Sequence, residues 1–299
     1  MALNDAHCHF FSSGFFSVLA RQRGTAATAD QICRELEWES PGAAEELADR
    51  WAGELDAHDV ARAAIIASVP GDESSVAAAV KRQPSRFVGY FMLDPSAADA
   101  VERTTRAVSE LGLRGVCLFP AMHHVPLDHD RTVQVVRAAA TQPNTVVFVH
   151  CGVLSVGVRK KLGLPSRFDL RLGDPLGVAR LALAFPSTPF VIPHFGAGMF
   201  RETMMAADAC PNVYVDTSSS NSWIRYTPGR TLDDAFKTAL AVLGPRRLLF
   251  GTDSSFFPRG WQRGVYEQQK AIVSQLGLRA EDEELIFGGN FDRLFPMSG

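Results

Sequence analysis

The feature that most constrains this chain is a pair of histidines two residues apart, close to its first residue. His7 and His9 lie within the sequence NDAHCHF at residues 4–10. On an extended strand, side chains two residues apart point to the same face, so both imidazoles can converge on one point. Two neutral imidazoles held side by side form half of a binding site for a divalent transition metal. The pattern therefore predicts a first strand that carries metal ligands.

Short apolar runs, rich in β-branched and aromatic residues, recur along the rest of the chain and alternate with segments of helical periodicity. Most of the runs are continuously apolar, as expected of parallel strands that are buried on both faces. We predict eight strands, at residues 4–10, 63–69, 87–93, 115–119, 145–150, 190–194, 213–216 and 248–251. We predict the main helices at residues 43–58, 74–83, 98–111, 130–141, 175–185, 201–210, 232–243 and 262–276.

This alternation within 299 residues predicts an α/β fold of the (β/α)8 TIM-barrel type. An open doubly wound sheet is the weaker alternative, because no GxGxxG turn follows the first strand. The one long insertion, residues 11–41, separates the first strand from its helix, and we expect it to lie over the top of the barrel. We find no internal repeat and no low-complexity linker, so we predict a single domain over residues 1–299.

Three further polar residues lie at the ends of predicted strands. His150 closes the fifth strand, His194 closes the sixth, and Asp253 lies just beyond the eighth. The carboxyl ends of all strands meet at one face of such a barrel, and active sites lie there. Together with His7 and His9, these side chains offer imidazole and carboxylate ligands. That mixture suits one divalent metal ion, with Zn²⁺ favoured and Mn²⁺, Fe²⁺ or Co²⁺ as alternatives.

The motifs that carry these residues are DAHCH at 5–9, His150, HFGAG at 194–198, GTDS at 251–254 and GGNFDRLF at 288–295. Together they resemble the amidohydrolase superfamily over nearly the whole chain. Within it they resemble the amidohydrolase-2 group, which includes decarboxylases similar to aminocarboxymuconate-semialdehyde decarboxylase. The resemblance implies that His7, His9 and His150 are metal ligands. It also implies that Asp253 binds the metal or its water, and that His194 is an acid/base or a further ligand.

The chain departs from the family pattern at two positions. Many relatives with two metals carry a lysine at the end of the fourth strand, but the sequence here is GVCLFP at 115–120, which favours one metal. Several of the decarboxylases place a glutamate in the Gly-rich turn after the sixth strand. This chain has Ala197 and Gly198 there, which weakens a direct transfer of decarboxylase chemistry.

The leading hypothesis is therefore a metal-dependent hydrolase acting on an amide, a lactone or a related C–N or C–O bond of a small organic substrate. Asp253 would accept a proton from a water activated by the metal. His194 would stabilise the developing charge or protonate the leaving group. The alternative is a metal-dependent non-oxidative decarboxylase of an unsaturated or aromatic carboxylic acid. A third reading, a catalytically silent barrel that binds a ligand, would predict a broken set of ligands.

Three residues near the predicted site are candidate substrate contacts. Arg259 and Trp261 follow Asp253 in the loop after the eighth strand. His123 follows the fourth strand and so reaches the same face of the barrel. An exposed loop histidine with no such role is the more common alternative for His123.

The composition and net charge of the chain limit the classes of partner that we expect it to bind. The formal net charge of −3 implies no nucleic acid and no membrane surface as a partner. No run approaches the roughly 20 apolar residues that cross a bilayer. A content of 46% hydrophobic and 21% charged residues is ordinary for a globular enzyme with a small-molecule substrate.

The cysteines and the first residues bear on localisation. Five cysteines are scattered without a CxxC pair, which suits reduced thiols. The first residues lack the basic and apolar regions of a secretory signal, so we expect a cytoplasmic protein. We expect a homodimer only because two-fold dimers are the commonest soluble oligomers.

Overall fold

Parallel strands form one sheet whose spatial order follows the chain. A computed structural model describes residues 2–297. Eight strands pair in the order β1 to β8, each hydrogen-bonded to the next. Their bounds are β1 Leu3–Phe10, β2 Val60–Ala67, β3 Phe87–Leu93, β4 Gly115–Leu118, β5 Val146–Val149, β6 Phe190–Ile192, β7 Val213–Asp216 and β8 Leu248–Leu249.

The first strand closes the sheet by pairing with the chain just after β8. Ala6 donates its backbone N–H to the carbonyl of Phe250 at 2.9 Å. His9 donates to the carbonyl of Ser254 at 2.6 Å. In the other direction, Asp253 donates to the carbonyl of His7 at 2.9 Å. The predicted (β/α)8 TIM barrel is therefore confirmed, and closure brings the loop after β8 against the two histidines of β1.

Helices follow the strands and cover the outside of the barrel. Each of the eight predicted main helices is present, with ends that differ by no more than a few residues. Within residues 2–297, no helix is both long enough and apolar enough to span a membrane. The bounds are α1 Ser13–Gln22, α2 Ala29–Leu36, α3 Ala44–Asp56, α4 Glu73–Arg82, α5 Ala100–Ser109, α6 Pro120–His123, α7 Asp130–Ala139, α8 Gly157–Lys161, α9 Pro175–Ala184, α10 Phe200–Ala209, α11 Leu232–Leu243, α12 Arg263–Gln275, α13 Ala280–Glu284 and α14 Asn290–Leu294.

The strands differ from the prediction where they reach the candidate site. The predicted fifth and sixth strands include His150 and His194, whereas β5 ends at Val149 and β6 at Ile192. His194 has a φ of 56°, in the left-handed region, so it cannot continue a strand. His150 and His194 therefore lie at the start of the loops that follow β5 and β6 rather than in the sheet.

Two apolar layers explain why the strand sequences are continuously apolar. Ile65 on β2 is packed in the layer between the sheet and the surrounding helices. Its neighbour Ile66 is packed in the barrel interior, together with Tyr90 of β3 and Phe148 of β5. Phe295, next to α14, joins the interior cluster, with its ring 5.9 Å from that of Tyr90. Both faces of each strand are thus buried, as the sequence indicates.

The insertion after β1 folds into α1 and α2. Ser12 begins α1 by accepting the N–H of Phe15 at 3.1 Å, and Thr28 begins α2 with a capping box. The two helices build an apolar cluster that includes Phe15, and the cluster also takes in Leu162 from the chain after β5. This contact packs the insertion against the chain that follows β5.

Gly115 on β4 allows a test of interior packing. A methyl group added there would overlap the ring of Tyr90, which is buried and cannot withdraw. We expect Gly115→Ala to lower the free energy of unfolding by about 1–3 kcal/mol, measured by urea denaturation. Gly264→Ala is the matched control, because a methyl group there meets no atom. It should leave stability unchanged or raise it by about 0.5–1 kcal/mol. Equal effects of the two changes would contradict this packing.

Candidate metal centre

The carboxyl ends of the strands surround a pocket of about 480 Å³. His7, His9, His150, His194 and Asp253 all line it, so the fold brings the five predicted residues to one cavity. His7 is 1% exposed, while His9 and Asp253 are partly open to the cavity. The pocket is thus polar at its floor.

His7 is oriented by a carboxylate at the end of β7. Its Nδ1 lies 2.8 Å from Oδ2 of Asp216, which is fully buried. A carboxylate only accepts, so Nδ1 carries a hydrogen, and in the neutral ring the lone pair is on Nε2. Burial opposes ionisation of Asp216, but the interaction with His7 outweighs it and lowers the pKa of the carboxyl. Burial would lower the pKa of His7, and Asp216 raises it overall.

His9 is held in the same tautomer by a serine just beyond β2. The hydroxyl of Ser68 donates to the carbonyl of Ile66 at 3.0 Å. Its oxygen must therefore accept from Nδ1 of His9, 2.7 Å away. The lone pair of His9 is then on Nε2. Both histidines of β1 thus present Nε2, and both use Nδ1 to anchor the ring, which is the usual arrangement of metal-binding histidines.

Asp253 meets these two nitrogens. Its Oδ1 lies 3.1 Å from Nε2 of His9 and 3.7 Å from Nε2 of His7. Burial opposes its charge, but the neighbouring imidazole of His9, followed by those of His7 and His194, lowers the pKa of the carboxyl. Ligand atoms around one tetrahedral Zn²⁺ lie about 3.3–3.6 Å apart. The three side chains offer ligand atoms within 4.8 Å of one another, so they could hold one divalent ion.

His194 stands beside this group with its own anchor. Its backbone N–H donates to Oδ1 of Asp216 at 3.2 Å. The Ser218 hydroxyl donates to the same Oδ1, so its oxygen accepts from Nδ1 of His194 at 2.8 Å. Nε2 of His194 therefore also keeps its lone pair. The ring centroids of His194 and His7 are 4.9 Å apart, and with Asp216 these residues form a second group that could hold an ion.

His150 lies at the edge of the constellation. Its ring centroid is 5.3 Å from that of His194 and 5.3 Å from that of Phe119. Among residues 2–297, it is in neither group whose ligand atoms come within 4.8 Å. Its Nδ1 is buried and has no partner in that part of the chain. Burial, followed by the nearby imidazoles of His194 and His7, lowers its pKa well below the usual value. A buried unpaired nitrogen costs about 1–3 kcal/mol, which a bound ligand would offset.

The structure does not bring Trp261 to the pocket. Its indole is buried and donates Nε1–H to Oδ2 of Asp5 at 2.8 Å. Asp5 also accepts from the N–H groups of His7 and Thr252, at 2.9 Å and 3.1 Å. Trp261 therefore contacts a buried carboxylate that joins β1 to the loop after β8. The prediction of substrate contact overlooked this carboxylate, which lies two residues before His7 in the sequence.

The other two predicted substrate contacts differ in position. Arg259 lines the pocket, donates to the hydroxyl of Ser255 at 2.6 Å and lies over the ring of Phe256 at 4.5 Å. His123 does not line this pocket but lines an adjoining cavity. The short helix α6 after β4 carries its side chain to that side.

Sequence reasoning missed the anchoring residues Asp216, Ser68 and Ser218. For Asp216 a signal was present in the sequence. Asp216 follows the apolar residues VYV of β7, just as His150 follows the apolar residues VVFV of β5. The same rule that selected the histidines would have selected it. The two serines carry no such signal, since serine is common in loops at the ends of strands.

The role of Asp216 can be tested by an isosteric change. Asp216→Asn puts an N–H₂ group among four donors: the Nδ1–H of His7, the backbone N–H groups of His194 and Ser218, and the Ser218 hydroxyl. We expect zinc affinity to fall about 10–100-fold, measured by competition with a chromogenic chelator. Asp49→Asn, at an exposed carboxylate paired with Arg82, is the control. Unchanged affinity in Asp216→Asn would show that His7 needs no anchor.

Comparison with known proteins agrees with this geometry. No functionally curated protein matches the chain. Many solved structures share the fold, and we describe three that cover at least 96% of both chains in each comparison. A candidate 2-pyrone-4,6-dicarboxylic acid hydrolase from Pseudomonas putida is 20% identical, covers 99% of both chains and has a TM-score of 0.65. An amidohydrolase from Burkholderia multivorans with bound zinc is 15% identical, covers 100% of both and has a TM-score of 0.63.

The third is a 5-carboxyvanillate decarboxylase from Novosphingobium aromaticivorans with bound manganese. It is 16% identical, with a TM-score of 0.64, over 99% of this chain and 96% of that one. At these identities the likeness shows the fold alone. The family is shown by the sequence itself: residues 5–297 match the family described as Amidohydrolase. The chain belongs to the amidohydrolase family, as the motifs around His7, His194 and Asp253 imply.

Proposed function

We propose that this protein is a metal-dependent hydrolase acting on an amide, a lactone or a related C–N or C–O bond of a small organic substrate. His7, His9 and Asp253 would hold one divalent ion, with His150 and His194 beside it. One observation carries the proposal. Both histidines of β1 are anchored through Nδ1 and direct Nε2 at Oδ1 of Asp253, at 3.7 Å and 3.1 Å.

The roles of the side chains follow from their positions. A divalent ion bound there would lower the pKa of a water molecule and polarise a substrate carbonyl. Asp253, whose side chain is 31% exposed, faces the cavity and can accept a proton from water on its free oxygen. His194 lies on the other side of His7, and once its Nε2 has accepted a proton it can pass that proton to a leaving group. Asp216 and Ser218 keep that imidazole oriented.

The walls of the pocket favour a small planar substrate. Trp38 from the insertion stacks on Phe256 with ring centroids 3.8 Å apart, and Phe11 stacks on Phe15 at 4.0 Å. Aromatic faces of this kind bind flat, unsaturated groups. Lys161 and Arg259 are the cationic residues that line the pocket, and they favour a substrate with an acidic or otherwise electron-rich group.

Decarboxylation of an unsaturated or aromatic acid is the second candidate. It is supported by the fold shared with a 5-carboxyvanillate decarboxylase, whose structure holds manganese. The hydrolase reading is supported by the fold shared with a candidate 2-pyrone-4,6-dicarboxylic acid hydrolase. Both reactions use a Lewis acid beside a proton carrier, and the pair Asp253 and His194 suits either. The metal identity is likewise open between Zn²⁺, Mn²⁺, Fe²⁺ and Co²⁺.

Metal content is the first test. We expect elemental analysis of the purified protein to find about one equivalent of a divalent transition metal per chain. Removal with a chelator should abolish turnover, and Zn²⁺ or Mn²⁺ should restore it. A protein that binds neither ion, and whose activity the chelator leaves intact, would refute the proposal.

Substitution of the ligands is the second test. His9→Ala and Asp253→Ala should each lower kcat at least about 100-fold, since each removes a metal ligand and Asp253→Ala also removes the base. Both changes should leave the circular dichroism spectrum unchanged. Arg201→Gln, at a side chain that is 85% exposed, should keep normal activity. Near-normal rates in either ligand variant would remove that residue from the mechanism.

The reaction class requires a substrate panel. Incubation with lactones, aryl amides and hydroxybenzoates, with acid release and CO₂ release measured in parallel, separates the two candidates. We expect acid release without CO₂ from a lactone or an amide. CO₂ release from a hydroxybenzoate, with no hydrolysis, would select the decarboxylase instead.

A further inference from the structure

A second cavity of about 700 Å³ adjoins the metal pocket. The two cavities meet along five residues that line both: Phe15, Ser68, Met92, Met122 and Val156. Ser68 is the residue that anchors His9, so the second cavity begins beside a proposed metal ligand. We call this second cavity the side chamber.

Beyond the shared residues, the lining of the side chamber includes two cations. Arg159 and Arg167 line it, and neither forms an ion pair within residues 2–297. One carboxylate, Asp94, also lines it and accepts from the N–H and hydroxyl of Ser96, at 2.9 Å and 2.7 Å, while keeping its negative charge. By contrast, Arg171, in the same segment of chain, is 88% exposed and pairs with a carboxylate at 2.7 Å. Two guanidinium groups against the one carboxylate of Asp94 leave the chamber with a net positive charge.

Arg159 is held in place before any ligand arrives. Its Nη2 donates to the carbonyl of Pro165 at 2.8 Å, and its Nη1 donates to the side chain of Gln22 on α1. These bonds fix the guanidinium, so less side-chain entropy is lost when it binds an anion. Its Nε is buried and has no partner within the described chain.

His123 adds a second polar group without a partner. It lines the chamber, and its buried Nδ1 makes no hydrogen bond to residues 2–297. Burial lowers its pKa, so the ring is neutral at pH 7 and can donate one hydrogen bond. A buried polar atom left unpaired costs free energy, and a ligand oxygen would satisfy it.

We propose that the side chamber binds a carboxylate at the far end of the substrate, through Arg159, Arg167 and His123, while the reacting group lies at the metal pocket. This inference rests on the proposed function, because it takes the metal pocket as the place of reaction. The substrate is then an elongated molecule with one reactive end and one acidic end. Phe15 and Met122 would contact the apolar part between them.

Binding of matched acids tests the chamber without requiring turnover. Isothermal titration of the zinc-loaded protein would compare glutarate, adipate, pimelate and suberate with pentanoate, hexanoate, heptanoate and octanoate. For at least one chain length we expect the dicarboxylate to bind about tenfold more tightly than the monocarboxylate. Arg159→Gln and Arg167→Gln should each reduce that ratio to about threefold or less. Arg171→Gln is the matched control and should preserve the ratio.

Each outcome decides the matter. An affinity ratio of dicarboxylate to monocarboxylate near one at every chain length would refute the proposed carboxylate site. A ratio that neither Arg159→Gln nor Arg167→Gln lowers would refute it as well. If Arg159→Gln unfolds, because Pro165 and Gln22 lose their donor, the exposed Arg167 still provides the test. A loss of the ratio in Arg171→Gln as well would show that general surface charge is responsible, and would also overturn the proposal.

The result is separable from the proposed function. If the protein discriminates between the acids through Arg159 but shows no turnover, the carboxylate site in the side chamber is supported and the proposed catalytic function is refuted. If the protein hydrolyses a lactone in a metal-dependent way but binds the paired acids with equal affinity, the proposed catalytic function is supported and the carboxylate site is refuted.

Discussion

The hydrogen bond between Nδ1 of His7 and Asp216 is the interaction on which the candidate site depends. It orients a buried ring, keeps the lone pair on Nε2 and places negative charge behind the imidazole. Asp216 also accepts from the backbone of His194 and the hydroxyl of Ser218. One carboxylate thus sets the positions of two imidazoles that come from different strands. A network of this kind is rigid because every donor in it has an acceptor.

Barrel closure is the second constraint. The loop after β8 reaches the histidines only because β1 pairs with it, through the bond from Asp253 N–H to the carbonyl of His7. Asp253 has a φ of 63° and His194 a φ of 56°, conformations that non-glycine residues seldom adopt. Such geometry persists when the surrounding contacts enforce it. Asp5, bonded to Thr252 and Trp261, supports the chain beside Asp253, and Asp216 and Ser218 support it at His194.

Most of the fold was predictable from the sequence because parallel barrel strands are buried on both faces. The run VVFV of β5 and the run FVI of β6 are apolar throughout, so their number and order could be read directly. The predicted ends of these strands were less accurate than their number and order. A left-handed residue such as His194 has no signature in composition, since its backbone conformation is enforced by Asp216 and Ser218, which are distant in sequence.

The sequence by itself determined the barrel, its insertion and the residues that meet at its mouth, because periodicity and strand ends are local properties of the chain. Only the tertiary structure decided which nitrogen of each histidine is free, because that depends on Ser68 and Asp216 from other strands. It also decided that Trp261 packs on Asp5 and that His123 and Arg159 share a side chamber. Those relations follow from how loops fold over the barrel, and loop composition does not encode them.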